Sequence, residues 1–416
     1  MKKRVYLKTF GCRTNIYDSQ IMMQNLKDFE IVDEESRADI IVVNSCTVTN
    51  GADSSARGYI NRQKRDGKKV ILAGCGAISK GDELLKSGKI FGYFGHSEKE
   101  NINEILKSDK KFAKRGDLNS IDTQIVTKFN SHTKAFIKIQ EGCDFRCSYC
   151  IIPFVRGDAR SMDETLILDQ ISILAENGYG EFVLSGTNLG SYGKDTNSSL
   201  AKLIKKISLI KGVKRVRLGS LEPVQVDDEF KEILDDDILE KHLHIALQHT
   251  DDEMLRIMRR RSFLSDDLKL FEYIRDKGYS LGTDFITGHP GESDELWSRA
   301  VENFKRFPIT HLHGFTYSKR DGTHSATLKD EIRGDIAKKR LNQLQDIVEK
   351  NNYEFRKSCK KPFLVLVEDR QGDYQVGYDQ YFNKLYIKSK IDLQKEWVLL
   401  SNITIKEEGN FAEFNS

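Results

Sequence analysis

The chain has 416 residues, long for one domain and sufficient for two or three. Its 66 Lys and Arg against 63 Asp and Glu leave a net charge of +3, too small to argue for nucleic acid, so any such claim rests on local patches. Only 38% of residues are hydrophobic and no apolar run approaches a membrane span, which excludes a helical membrane protein. The basic start Met1-Lys2-Lys3-Arg4 is followed by no apolar core of signal length, so a first strand and a cytoplasmic location are expected. Seven cysteines, an odd number, favour metal over disulfides in such a chain.

The first hundred residues alternate strand, loop and helix. A short apolar run over 5–10 reads as a strand, and Asp18 or Ser19 is expected to cap a helix reaching about residue 29. The continuous β-branched run over 39–43 reads as a buried parallel strand, followed by a helix over 52–65 and a third strand over 70–73. This predicts a small doubly wound α/β domain over 1–106. Cys12, Cys46 and Cys75 each follow one of these strands, at spacings of one βα unit. In an open parallel sheet the carboxyl ends share one edge, so the three thiols are expected to converge in the crevice there. The bland alternative is three cysteines placed for packing.

Residues 107–132 are polar and basic without a clear period and read as a linker. From 133 to 357, strand candidates at 135–139, 181–185, 215–219, 242–247, 280–286 and 310–317 are separated by helical patterns that include 163–175, 200–210 and 296–307. Six such units predict a partial (β/α)6 barrel with ligands at the carboxyl ends. A long helical pattern over 335–356 leads to Pro362. The alternating runs at 363–367, 373–377, 385–387 and 397–400 predict a small antiparallel β-barrel over 358–416.

The loop after the first barrel strand holds the strongest signal. The run Glu141-Gly142-Cys143-Asp144-Phe145-Arg146-Cys147-Ser148-Tyr149-Cys150 has C-x₃-C-x₂-C spacing. Three thiolates on a 4Fe-4S cluster leave one iron open to a ligand that is not protein. A structural zinc would want a fourth Cys or His; none lies within ten residues, and His132 is just beyond.

This loop resembles that of the radical S-adenosylmethionine (SAM) enzymes, with Tyr149 in the aromatic position before the third cysteine. The resemblance implies that the open iron chelates SAM and that one electron cleaves it to a 5′-deoxyadenosyl radical, the protein supplying binding and orientation. The segments around Gly11-Cys12-Arg13, Asn44-Ser45-Cys46-Thr47-Val48-Thr49-Asn50 and Gly74-Cys75 are similar to the three cysteine loops of the methylthiotransferases. That likeness implies a second 4Fe-4S cluster at Cys12, Cys46 and Cys75, carrying the sulfur to be methylated and transferred. Cys359 is then left as an ordinary thiol. The C-terminal segment matches the TRAM domain in position, with Lys384, Lys388, Lys390, Lys395 and Tyr386 as RNA-facing candidates or merely a solvated face.

Gly186, Thr187 and Asn188 after the second barrel strand, Ser220 and Glu222 after the third, Gln248 after the fourth and Asp284 in the fifth resemble SAM-binding elements, the glycine permitting close backbone approach. Two departures stand out: His289 where the family's turn usually has an aromatic, and His249-Thr250-Asp251 where it usually reads Ser-Gly-Ser. Arg215 with Arg217, and Arg259-Arg260-Arg261, are local basic patches that either meet phosphates or form solvated faces.

Within the family the Cys46 loop looks most like the branch acting on C2 of N6-threonylcarbamoyladenosine beside the tRNA anticodon, a base in a single-stranded loop that can be splayed out. That resemblance implies a tRNA substrate and a reductase, flavodoxin or ferredoxin as electron donor; a monomer is assumed. The rivals are a methylthiotransferase acting on a ribosomal-protein aspartate or on isopentenyl-adenosine of tRNA, and a non-catalytic iron-sulfur protein that binds RNA or relays electrons. The open-iron spacing argues against the last, since electron carriers close all four irons with protein ligands.

Overall fold

The computed structural model describes residues 2–47, 50–129 and 132–414, so the Val48-Thr49 part of the Cys46 loop lies outside the described residues. Six parallel strands form the first sheet, in the spatial order Glu30–Ile31, Arg4–Thr9, Ile40–Ser45, Lys69–Gly74, Gly92–Phe94 and Phe112–Lys114. Both faces are covered, which is why its central strands read as unbroken apolar runs. Ile40, Val42 and Ile71 pack against Met22 and Leu26 of the helix Arg13–Asn25 and its C-cap. The alternate residues Ile41, Val43, Val70 and Leu72 pack against Tyr59 and Ile60 of the helix Asn50–Arg65 and Leu84 of the helix Cys75–Lys86.

Two details differ from the expected pattern. The first helix begins at Arg13 with Cys12 as its N-cap, not at Asp18 or Ser19. Those two side chains point inward: Asp18 joins a buried ionic network, and Ser19 pairs with Thr9 at 2.6 Å and accepts from Asn44 at 2.9 Å. The sixth strand, Phe112–Lys114, falls in the stretch read as a linker, and Val126 and Phe129 farther along are buried in the main core.

The next six parallel strands are Ala135–Lys138, Glu181–Ser185, Arg215–Leu218, His242–His244, Ser280–Thr287 and His311–Thr316. They pair in two sets of three, bridged at Val216–Leu239 and Leu221–Ile245, giving an open barrel with the largest apolar core of the molecule. The helix Gly334–Ser358 lies along the last of these strands and leads to a curled six-stranded sheet. That sheet is antiparallel except where Lys384–Ser389 pairs in parallel with Gly409–Phe414, a strand not foreseen in sequence. The curled sheet docks on the amino ends of the barrel strands, away from the cysteine loops: Arg215 donates to the Leu364 and Tyr378 carbonyls, both at 3.1 Å, and Ser280 to the Tyr381 carbonyl at 2.7 Å.

This docking corrects the reading of Arg215 and Arg217 as a phosphate-facing patch. Both are 3% exposed. Arg217 spans Glu181 at 3.0 Å and Glu240 at 2.9 Å, and its guanidinium lies 4.2 Å from the Phe382 ring. Buried charge of this kind is retained because each cation has a carboxylate partner. Cys359 donates to the Phe355 carbonyl at 3.4 Å beside the C-terminal core, and burial pushes its thiol up to about 12. No helix among the described residues is long and apolar enough to cross a membrane.

Candidate active site between two cysteine triads

Cys12, Cys46 and Cys75 come together at the carboxyl edge of the first sheet. Cys12 stands at the N-cap of one helix and Cys75 is the first residue of another. Gly11 has φ +102, and a Cβ there would collide with Cys46; Gly74 has φ +80, and a Cβ would collide with Asn44. The Cys12 and Cys75 loops therefore both pack against the Cys46 loop, and glycine is required by conformation as well as by space. Gly11→Ala is expected to push the Cys12 and Cys46 loops apart and to halve reconstituted iron, from about eight to about four per chain. Iron analysis with unchanged content would contradict that expectation.

A buried ionic network ties this triad to the cluster loop of the barrel. Arg156, 2% exposed, donates through Nε to Cys75 Sγ at 3.1 Å and through its Nη atoms to Asn15 at 2.8 Å, Asp18 at 2.9 Å and Glu141. Lys138 reaches Asp18 at 2.8 Å, Glu141 at 2.9 Å and Asp122 at 2.5 Å, and Lys99 reaches Asp18 at 3.3 Å and also Asp122. Three cations thus face three carboxylates. Burial alone would raise the Asp18 and Glu141 carboxyls, but Lys138 and the other cations outweigh it and hold both below the ordinary carboxylate range. Cys75 also shares a small apolar cluster with Ile78 and Val155, against which Ile151 and Ile152 pack, and the last three closely follow Cys150.

Cys143, Cys147 and Cys150 line a cavity of about 290 Å³ at the carboxyl edge of the barrel. Phe145 N–H approaches Cys143 Sγ at 3.4 Å, Asn188 Nδ2 donates to it at 3.3 Å, and Arg260 donates to Cys147 Sγ at 3.5 Å. Burial pushes the Cys150 thiol up to about 12 and raises Cys143 and Cys75 against the donors beside them. Such sulfurs become thiolates when a metal supplies the compensating charge, so donor-ringed cysteine triads fit iron-sulfur ligation.

Of the residues predicted to contact SAM, Tyr149, Thr187, Asn188, Glu222, Gln248 and Asp284 line this cavity. Gly186 and Ser220 do not. Gly186 sits against Gln140, where a Cβ would meet Oε1 at 2.8 Å, and Ser220 donates to Asp284 at 3.3 Å from an exposed position. Gln248 holds φ +67, an uncommon conformation for a residue with a side chain, fixed by bonds to Asp284 O and Ile286 N. Burial would raise Asp284, but His244 at 3.1 Å and His313 at 3.6 Å hold it low.

Arg260 is a residue that sequence reasoning left in a surface patch. Its side chain is 2% exposed, paired with Glu222 and with the Ala246 carbonyl at 2.5 Å, while Arg261 lies 4.1 Å over Phe145. The two departures prove structural. Buried His289 donates from Nδ1 to Pro290 O at 2.8 Å and meets Ser325 Oγ at 2.7 Å, and Ser325 donates to Ser148 of the Cys143–Cys150 loop at 2.8 Å. His249 faces Glu292 at 3.5 Å, and Asp251 caps the helix Asp252–Ile257.

A family model described as the Radical SAM superfamily matches residues 137–303, and one described as Uncharacterized protein family UPF0004 matches residues 4–95. A Helicobacter pylori (strain J99) protein that carries only the general, provisional name methylthiotransferase is 49% identical over 99% of this chain and 100% of its own length. The chain belongs to the radical SAM methylthiotransferase family. Its relatives include the threonylcarbamoyladenosine tRNA methylthiotransferase MtaB of Aquifex aeolicus, 31% identical over 94% of this chain and 97% of that protein. They also include the tRNA-2-methylthio-N(6)-dimethylallyladenosine synthase of Fervidobacterium nodosum, 32% identical over 88% of each. Among solved structures, the radical SAM methyltransferase TsrM of Kitasatospora setae overlays with a TM-score of 0.61 at 15% identity, covering 78% of this chain and 77% of that one.

Radical SAM methylthiotransferases use SAM and 4Fe-4S clusters, typically two. In this member Cys143, Cys147 and Cys150 would hold such a cluster, which would supply reductive cleavage of SAM. Glu222, fixed by Arg260, and Asn188, fixed by a 2.6 Å bond from Gln225, set polar groups on the wall beside those sulfurs. Ile151, Ile152, Ile286 and Phe315 add apolar surface to the same wall.

Proposed function

We propose that this methylthiotransferase inserts a methylthio group at C2 of N6-threonylcarbamoyladenosine, next to the anticodon (position 37) of tRNA, using two 4Fe-4S clusters held by Cys12, Cys46 and Cys75 and by Cys143, Cys147 and Cys150. The observation that carries the two-site reading is the 3.1 Å hydrogen bond to Cys75 Sγ from Arg156, in the segment that follows Cys150. A sulfur-bearing site and a SAM-cleaving site must lie beside one substrate, and an unreactive aromatic C–H has no proton a side-chain base can remove. Tyr149, Thr187, Asn188, Glu222, Gln248 and Asp284 are proposed to contact SAM, with Gly186 and Ser220 shaping the loops behind them.

For the substrate, support comes from the Asn44-Ser45-Cys46-Thr47 sequence and from relatives named for threonylcarbamoyladenosine. The relatives named for dimethylallyladenosine favour a second reading, with the isopentenyl base as substrate. Mass spectrometry of tRNA from a strain lacking this chain discriminates them. Loss of 2-methylthio-N6-threonylcarbamoyladenosine is expected, and retention of that nucleoside with loss of the isopentenyl counterpart would select the second reading. Reduction by a flavodoxin- or ferredoxin-type donor in the cytoplasm, on a monomer, belongs to the same proposal.

A further inference from the structure

The loop following the strand His311–Thr316 carries an unusual concentration of unmet hydrogen-bonding capacity. Fifteen buried side-chain polar atoms lack a hydrogen-bond partner among the described residues, and four of them belong to Tyr317, Ser318 and Arg320. All three residues line the cavity beside Cys143, Cys147 and Cys150. A buried donor left unpaired costs about 1–3 kcal/mol, more when charged, so four within one loop at an active-site wall point to a ligand that completes them.

The orientation of Arg320 narrows the chemistry. Its side chain is 7% exposed, and Nη1 donates to Asp53 at 3.1 Å, from the helix that follows the Cys46 loop. The two nitrogens left without partners are Nε and Nη2. Those atoms form the side-on fork of a guanidinium, which matches two oxygens of a carboxylate or phosphate. Arg320 also borders a second cavity, of about 380 Å³, shared with Thr47, Arg57, Lys80 and Phe154, so it lines both the Cys143 cavity and one that reaches Thr47, the residue after Cys46.

We infer that Tyr317, Ser318 and Arg320 form an oxyanion subsite for the substrate nucleotide, the Arg320 fork holding two oxygens and the hydroxyls of Tyr317 and Ser318 completing the cradle. Asp53 keeps the guanidinium in that orientation. The inference rests on the tRNA reading above and deepens it. The oxyanion is either the carboxylate of the N6 substituent or a phosphate of the anticodon-loop backbone.

The test is anisotropy binding of anticodon stem-loop RNAs to reconstituted holoenzyme, with SAM affinity measured separately by equilibrium dialysis. One RNA carries N6-threonylcarbamoyladenosine and a second carries its methyl ester. Arg320→Gln should weaken the acid RNA at least tenfold and Tyr317→Phe, which keeps the Asp53 pair, severalfold, with iron content and SAM affinity unchanged. Wild type binding the ester as weakly as the Gln variant binds the acid identifies the carboxylate; an equal loss on both RNAs in the variant identifies a phosphate. Variants within twofold of wild type on the acid RNA, or a loss of SAM affinity instead, would overturn the subsite alone. Wild type binding neither RNA would overturn the tRNA reading and the subsite together.

Discussion

Arg156→Met is expected to cost about 3–5 kcal/mol of folding stability, because it removes one partner of a fully buried ionic network and leaves carboxylates uncompensated. Arg156 joins the two halves together with Lys138: Asn15, Asp18 and Cys75 belong to the elements around the first sheet, and Glu141 to the barrel. Lys138 and Lys99 would then face Asp18, Asp122 and Glu141 as two cations against three anions. The variant should also retain less iron, since Cys75 loses the bond that Arg156 Nε donates to its sulfur. Denaturant titration checks the first effect; a loss below about 1 kcal/mol, the range of an exposed pair, would show that the network does not join the halves.

The second large effect is on pH. Burial holds His96 neutral down to about 3 and His289 down to about 4. Arg160 Nη2 donates to His96 Nε2 at 3.2 Å, and His289 Nδ1 donates to the Pro290 carbonyl at 2.8 Å. Well above the ordinary histidine value of about 6.5, folded and unfolded chains both hold these rings neutral, so they leave stability unchanged. As pH falls below that value these two rings take up protons in the unfolded chain that they refuse in the folded one, and their contribution lowers stability by up to roughly 3 kcal/mol per pH unit until the folded values are reached. Asp18 and Glu141 act lower: their folded values are depressed, so the stability they contribute is full above the ordinary carboxylate range and is lost as pH falls below about 4. Denaturant midpoints measured from about pH 7.5 to 4.5 on wild type and on His96→Gln should therefore differ in slope, the variant losing less stability as pH falls. Parallel profiles for the two would contradict the assignment.

Much of this architecture was legible because burial on both faces leaves a strong imprint on sequence. The strand Ile40–Ser45 and the six barrel strands stand where β-branched and apolar runs placed them, and the cysteines follow their strands as an open parallel sheet requires. What remained hidden depends on partners distant in sequence. Arg215 and Arg217 read as a basic patch because Glu181 and Glu240, which neutralise them, lie on other segments. Asp18 and Ser19 read as caps because nothing local shows that Lys138 and Asn44 would claim them. Arg260 and Arg320 look like ordinary surface cations until the fold buries one beside Cys147 and sets the other on the wall of the Cys143 cavity. The strand Phe112–Lys114 is only three residues long, too short for a periodic signal.

The central claim is that two independent three-cysteine sites each hold a 4Fe-4S cluster. It is tested most directly by iron and sulfide analysis with Mössbauer spectra after anaerobic reconstitution, on wild type and on the Cys143→Ala, Cys147→Ala, Cys150→Ala triple variant. Two clusters predict about eight irons per chain falling to about four in the variant, with the remaining signal that of an intact 4Fe-4S cluster. About four irons falling to none would contradict the account, leaving a SAM-cleaving site with no second cluster at Cys12, Cys46 and Cys75.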